Sequence, residues 1–129
     1  IFRGICAACH QPNGRGNANA GYPPLVNSEW VLNESPSRAI AIVAKGLQGP
    51  IEVAGQVYDK VAMPSQGAAL SDEDIANVIS YIRRNGDWGD AHSLPLVTLE
   101  QVKAVRETIA DRSAPWTADE LVQQFPDSQ

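Results

Sequence analysis

Two thiols and an imidazole stand together near the start of the chain, in Cys6-Ala7-Ala8-Cys9-His10. This is the spacing at which a haem is attached covalently, its two vinyl groups adding to the cysteines as thioethers. On one helical turn the histidine then projects beneath the porphyrin as the proximal nitrogen ligand. A cofactor held in this way cannot dissociate when its iron changes charge, which is what a single-electron relay requires. Two other readings exist, a dithiol redox pair and half of a zinc site. The dithiol reading wants a flanking βαβ pattern, and none is visible. The zinc reading wants four ligands. With two cysteines in all, and His92 as the one remaining histidine, the set does not close without carboxylates. One haem c on Cys6 and Cys9 is therefore the leading expectation, with no disulfide.

The other face of such an iron needs a ligand or an opening. Met63 is the single methionine of the chain, in Val61-Ala62-Met63-Pro64-Ser65. Proline after it stiffens the loop, and a soft sulfur opposite histidine raises the reduction potential and keeps small ligands off the sixth site. Core filling is the ordinary role of a methionine. His92, in the polar stretch Gly89-Asp90-Ala91-His92-Ser93, is the rival ligand, or else an exposed histidine with no role. Should Met63 not bind, an open iron would point to a peroxidase-like enzyme or a gas-binding sensor.

The elements that position these groups read as helices separated by long loops. Residues 11–28 are rich in Gly, Asn and Pro and read as irregular. Ser35-Pro36 before the apolar run 39–44, with Gly46 after it, marks a short helix capped by Ser35 with Pro36 at its first position. Gly49 to Tyr58 reads as a small hairpin or an extended loop. Ser71-Asp72-Glu73-Asp74 opens a helix with acids on the positive end of its dipole. Ile75, Val78, Ile79 and Ile82 then recur at helical spacing up to Gly86. Thr98 with Gln101, and Thr117 with Glu120, are capping boxes for two more helices, one near Leu99–Arg112 and a short last one. The architecture is all-α. Only Ile1 to Ile5 precede the first cysteine, too few for a stable helix. The expectation is that the chain begins inside a longer first helix, of which Ile1 and Phe2 are the last apolar residues.

The chain has 129 residues, enough for one domain with a core. Its longest apolar run, Ala39 to Ala44, is far short of a membrane span. The net charge of −5 is uneven. Residues 1–86 balance seven acids against seven bases, whereas residues 87–129 hold eight acids and three bases. No basic patch supports nucleic-acid binding. Segments 1–28 and 60–70, which carry the candidate ligands, contain Arg3, Arg15 and Lys60 and no carboxylate. A docking face there would be mildly positive and largely neutral, suited to weak encounters with redox partners.

Cys6-Ala7-Ala8-Cys9-His10, Tyr22-Pro23-Pro24-Leu25, Met63-Pro64 and Leu70-Ser71-Asp72-Glu73-Asp74-Ile75 together resemble a class I c-type cytochrome, from residue 1 to about Gly86. The resemblance implies a compact helical fold around one covalent haem. It also implies periplasmic or other extracytoplasmic maturation, and electron shuttling as a carrier or as a subunit of a respiratory or dehydrogenase complex. Membrane association would come through a partner or a missing N-terminal region. A proline carbonyl would accept the Nδ1 hydrogen bond of His10, with Pro23 the better fit and Pro24 the alternative. Two departures stand out: the first helix is mostly missing, leaving Phe2 to pack on the Tyr81 helix, and residues 87–129 run beyond the usual end of the fold. That acidic extension, with Trp88, Trp116 and two capped helices, is expected to pack on the 1–86 domain or on a partner. Tyr22, Trp30 and Arg15 are candidates to hydrogen-bond the haem propionates. Core packing is the alternative for Trp30, and simple solvation for Arg15.

Overall fold

A computed structural model describes residues 2–126, apart from the side chain of Arg3. Ile1, the Arg3 side chain and Asp127 lie outside the described residues. The chain opens with a wide helical turn, Phe2–Cys6, that runs into helix α1 (Ala7–His10). So short an element cannot stand alone. Phe2 anchors it, with its ring 5.2 Å from that of Tyr81 and 5.5 Å from that of Trp88. Gln11, at φ 70°, turns the chain out of α1 into the irregular loop. Trp88 also presses on that loop at Gly14, where a Cβ would fall 2.6 Å from the indole.

Helix α2 (Ser37–Lys45) starts one residue later than expected. Pro36, expected at the first helical position, stands at the cap instead and makes no side-chain cap bond, while the Ser35 hydroxyl one residue earlier accepts from the Ser37 amide at 3.3 Å. Strands β1 (Ile51–Val53) and β2 (Gln56–Tyr58) pair antiparallel, Ile51 opposite Tyr58. Ala54 and Gly55 both have positive φ, the requirement of a two-residue hairpin turn. The all-α framework thus carries one small hairpin.

Helices α3 (Asp72–Arg83), α4 (Leu99–Thr108) and α5 (Ala118–Gln124) each begin with a reciprocal capping box. The pairs are Ser71 with Asp74, Thr98 with Gln101 and Thr117 with Glu120. α4 packs against both α2 and α3. Its Val102 and Val105 enter one apolar cluster with Ile40, Ile75 and Ile79, as do Trp88, Trp116 and Leu121. No helix among the described residues is long and apolar enough to cross a membrane.

His92 departs from expectation. Its stretch looks polar and exposed in sequence, yet the residue is 1% exposed. Nδ1–H donates to the Ile82 carbonyl at 2.7 Å, and Nε2 accepts the Asn27 amide at 2.9 Å. A neutral imidazole supplies one donor and one acceptor, and both are used. The histidine therefore staples the chain after α3 to the loop before α2. Arg83 does similar work beside it, donating to the carbonyls of Val31, Asn33 and Glu34.

Candidate haem site

Between α1, α2, α3, the hairpin and the Met63 loop lies an apolar cavity of about 1100 Å³, counting the solvent space at its mouth. Cys6, Cys9, His10 and Met63 all reach its wall. Among the described residues the wall includes no carboxylate, lysine or arginine, and its one histidine is His10.

α1 ends where the cavity begins, so the histidine closing the pentapeptide is buried there. The loop after it folds back on itself. Gly16 bonds the His10 carbonyl, Leu25 and Val26 bond the Gly14 carbonyl, and Asn17 pairs with Tyr22. This brings Pro23, rather than Pro24, to accept from His10 Nδ1 at 2.9 Å. The bond assigns the proton to Nδ1 and leaves the Nε2 lone pair for a metal. Burial pushes the imidazole's pKa down, and the Pro23 bond only partly opposes this. A neutral ring is the form that ligates iron.

The two cysteines are half-buried and unbridged. Burial pushes the Cys6 thiol up, with the neighbouring Cys9 adding in the same direction. A redox dithiol needs the opposite, a depressed thiol pKa. Among the described residues no three His, Cys, Asp or Glu side chains gather as a metal cage, so a closed zinc site has no ligand set. Two thiols spaced for vinyl groups, a preset imidazole nitrogen and an apolar wall do fit a covalent haem. When bound, the haem supplies an iron that changes charge by one electron. The apolar wall keeps water from it and disfavours the more charged state.

Met63 reaches the wall from the loop after β2. Its backbone pairs with Leu47, amide to carbonyl at 2.8 Å and carbonyl from amide at 3.0 Å. Gly46 makes this approach feasible, since a Cβ there would sit 2.6 Å from the Met63 carbonyl and its φ is +90°. In sequence Gly46 reads only as a helix stop. Its closeness to Met63 had no local signal.

The remaining candidates separate. Tyr22 and Trp30 belong to the wall. Trp30 spends its one donor, Nε1–H, on the Glu52 carbonyl at 2.9 Å, and its ring carries the Arg38 guanidinium 5.4 Å from the centroid. Arg15 is exposed and is not part of the wall. Neither placement gives Trp30 or Arg15 a free donor at the cavity. His92, with both nitrogens committed to backbone, is likewise not part of the wall.

The pattern of the Cytochrome c family matches residues 1–86. Cytochrome c-552 of Thermus thermophilus is 40% identical over 107 residues, covering 78% of this chain and 78% of that protein. The cytochrome c subunit of the quinone alcohol dehydrogenase of Gluconacetobacter polyoxogenes is 33% identical over 109 residues, 84% of this chain but 22% of the subunit. Cytochrome c6 of Gracilaria tenuistipitata var. liui is 32% identical over 89 residues, 69% of this chain and 70% of that protein. The chain belongs to the cytochrome c family: it is an electron-transfer protein, not itself an enzyme, with one haem c bound covalently through Cys6 and Cys9.

Proposed function

We propose that His10 and Met63 are the two axial ligands of the haem, making the protein a closed, six-coordinate electron relay that works outside the cytoplasm. The observation that carries this reading is the Pro23 bond to His10 Nδ1, which leaves Nε2 as the acceptor in a wall that also holds Met63. Tyr22 supports the same wall. In this reading residues 1–86 form the cytochrome domain and residues 87–129 are an acidic extension of it.

The docking face lies around the cavity mouth, within the carboxylate-free segments 1–28 and 60–70. Val61 stands half exposed there, on the cavity wall. Lys60 is tethered to the Asn19 carbonyl at 2.9 Å, so its charge sits at a set place. Partners are redox proteins that approach with modest steering and separate quickly. The likeness to dehydrogenase cytochrome subunits favours service within such a complex, the likeness to cytochrome c-552 a free carrier.

The test is spectroscopic. Ferric haem-loaded protein should show a weak near-infrared thioether-to-iron band, and the ferrous form should take up carbon monoxide slowly or not at all. Met63→Ala should abolish the band and open the iron to rapid carbon monoxide binding. Wild-type protein without the band, binding carbon monoxide as fast as the variant, would overturn the reading.

A further inference from the structure

We infer that the segment after Gly86 holds the Met63 loop in its ligating position, with Arg106 as the positioning residue and Trp116 as a second brace. This inference rests on Met63 being a ligand.

A thioether is a weak axial donor, so its bond to iron survives only where the loop that carries it is already ordered. The loop between Met63 and α3 does little to order itself. Its own backbone bonds are those of Ala69 and Leu70 to the Gln66 carbonyl. On its inner side it leans on the end of α2. Ser65 Oγ donates to the Ala44 carbonyl at 2.6 Å, and the Gln66 amide to that of Val43 at 2.9 Å. A Cβ on Gly67 would meet the Ala44 carbonyl at 2.4 Å, so this contact is backbone against backbone.

The outer side is held from α4. One Arg106 guanidinium donates to the Gly67 carbonyl at 2.8 Å, the Leu70 carbonyl at 3.2 Å and the Asp72 carboxylate at 3.0 Å. A planar fork of five donors matches three acceptors in a way lysine does not. It ties the middle of the loop, its α3 end and the first residue of α3 to one helix.

The second brace enters upstream of Met63. Leu47, already paired with Met63, forms a parallel bridge with Trp116 on its other side. The Trp116 amide donates to the Gly46 carbonyl at 2.9 Å, and the Trp116 carbonyl accepts from Gln48 at 2.8 Å. Three short extended segments thus lie side by side, with Met63 at one edge and Trp116 at the other. Trp116 is itself pinned. Its ring is buried, with the Arg112 guanidinium 3.9 Å from the ring centroid.

The experiment uses the full haem-loaded chain and free imidazole, which reaches ferric iron only while the Met63 loop is displaced. Arg106→Gln should bind imidazole about ten-fold faster or more, the ratio given by loss of a charge-assisted hydrogen bond. Arg106→Lys, which keeps the charge but not the fork, should fall between that variant and wild type. Thr98→Ala removes the α4 cap without touching the loop, so it should lower the melting point while leaving the imidazole rate at the wild-type value.

A wild-type imidazole rate in Arg106→Gln overturns the inference while Met63 ligation stands. The same rate in Arg106→Lys overturns it should the glutamine variant yield no haem protein. Equal acceleration in Thr98→Ala overturns it too, because general loosening would then suffice. A wild-type protein with no thioether band sinks the ligation itself.

Discussion

Replacing His92 with phenylalanine should cost the fold several kcal/mol and leave the haem untouched. Phenylalanine keeps an aromatic ring, somewhat larger than imidazole, edge-on to Trp88, whose centroid lies 5.6 Å away. It has no polar atom, so the buried Ile82 carbonyl is stranded, while the amide of the exposed Asn27 loses its partner but can turn to water. Stranding the buried carbonyl costs about 1–3 kcal/mol, and fitting the larger ring into a filled site costs about 1–3 kcal/mol more, about 2–6 kcal/mol in all. Domains of this kind have about 5–15 kcal/mol in all. At about 4 °C per kcal/mol for a chain of this length, the melting midpoint should fall by roughly 8–24 °C. The assay is thermal unfolding of haem-loaded ferric protein by far-ultraviolet circular dichroism, with the near-infrared band recorded at room temperature. The band should survive, since neither nitrogen of His92 is available to iron. A midpoint within about 3 °C of wild type would refute the hydrogen-bond reasoning. Loss of the band with a change of spin state would make His92 a ligand and refute the assignment of the site.

Two further outcomes are expected. Ser71→Ala removes one half of the α3 capping box, in which the hydroxyl accepts from Asp74 at 3.1 Å. It should cost about 1 kcal/mol in chemical unfolding without altering the haem spectrum. At the other end of the chain, hydrogen bonds from Arg112, and next from the Thr117 amide, hold the Glu120 carboxyl at about 2, down from 4.5. A folded-state value below the unfolded one means stability that is fully present above pH 4.5 and lost as pH falls towards about 2. The gap between wild type and Glu120→Gln in urea midpoint should therefore close over that range; a gap constant with pH would sink the argument.

Some features of this protein are legible because their causes are local. The haem pentapeptide spans five residues and its chemistry depends on no distant group. Each capping box joins a hydroxyl to an amide three residues on, and those of Thr98 with Gln101 and Thr117 with Glu120 stand where the sequence pattern puts them. The hairpin is less plain, since Gly49 to Tyr58 reads equally as an extended loop and Ala54 takes a positive φ that alanine disfavours. The apolar spacing of Ile75, Val78, Ile79 and Ile82 identifies the buried face of α3.

Other features have causes spread along the chain. His92 looks like a solvated loop residue because its neighbours are polar; its partners lie 65 and 10 residues away. Arg106 looks like an ordinary helix-surface cation, yet it grips carbonyls 36 and 39 residues upstream. Backbone carbonyls carry no side-chain signature, so no sequence pattern marks which of them a guanidinium or an imidazole will find. The residue types alone determined that the chain takes a covalent haem, since thioether spacing and an adjacent imidazole are properties of one helical turn. Tertiary structure alone decided that Pro23 rather than Pro24 presets His10, that His92 is spent on the backbone, and that the Met63 loop is held by residues beyond Gly86. Those outcomes depend on which distant backbone groups packing brings within hydrogen-bond reach.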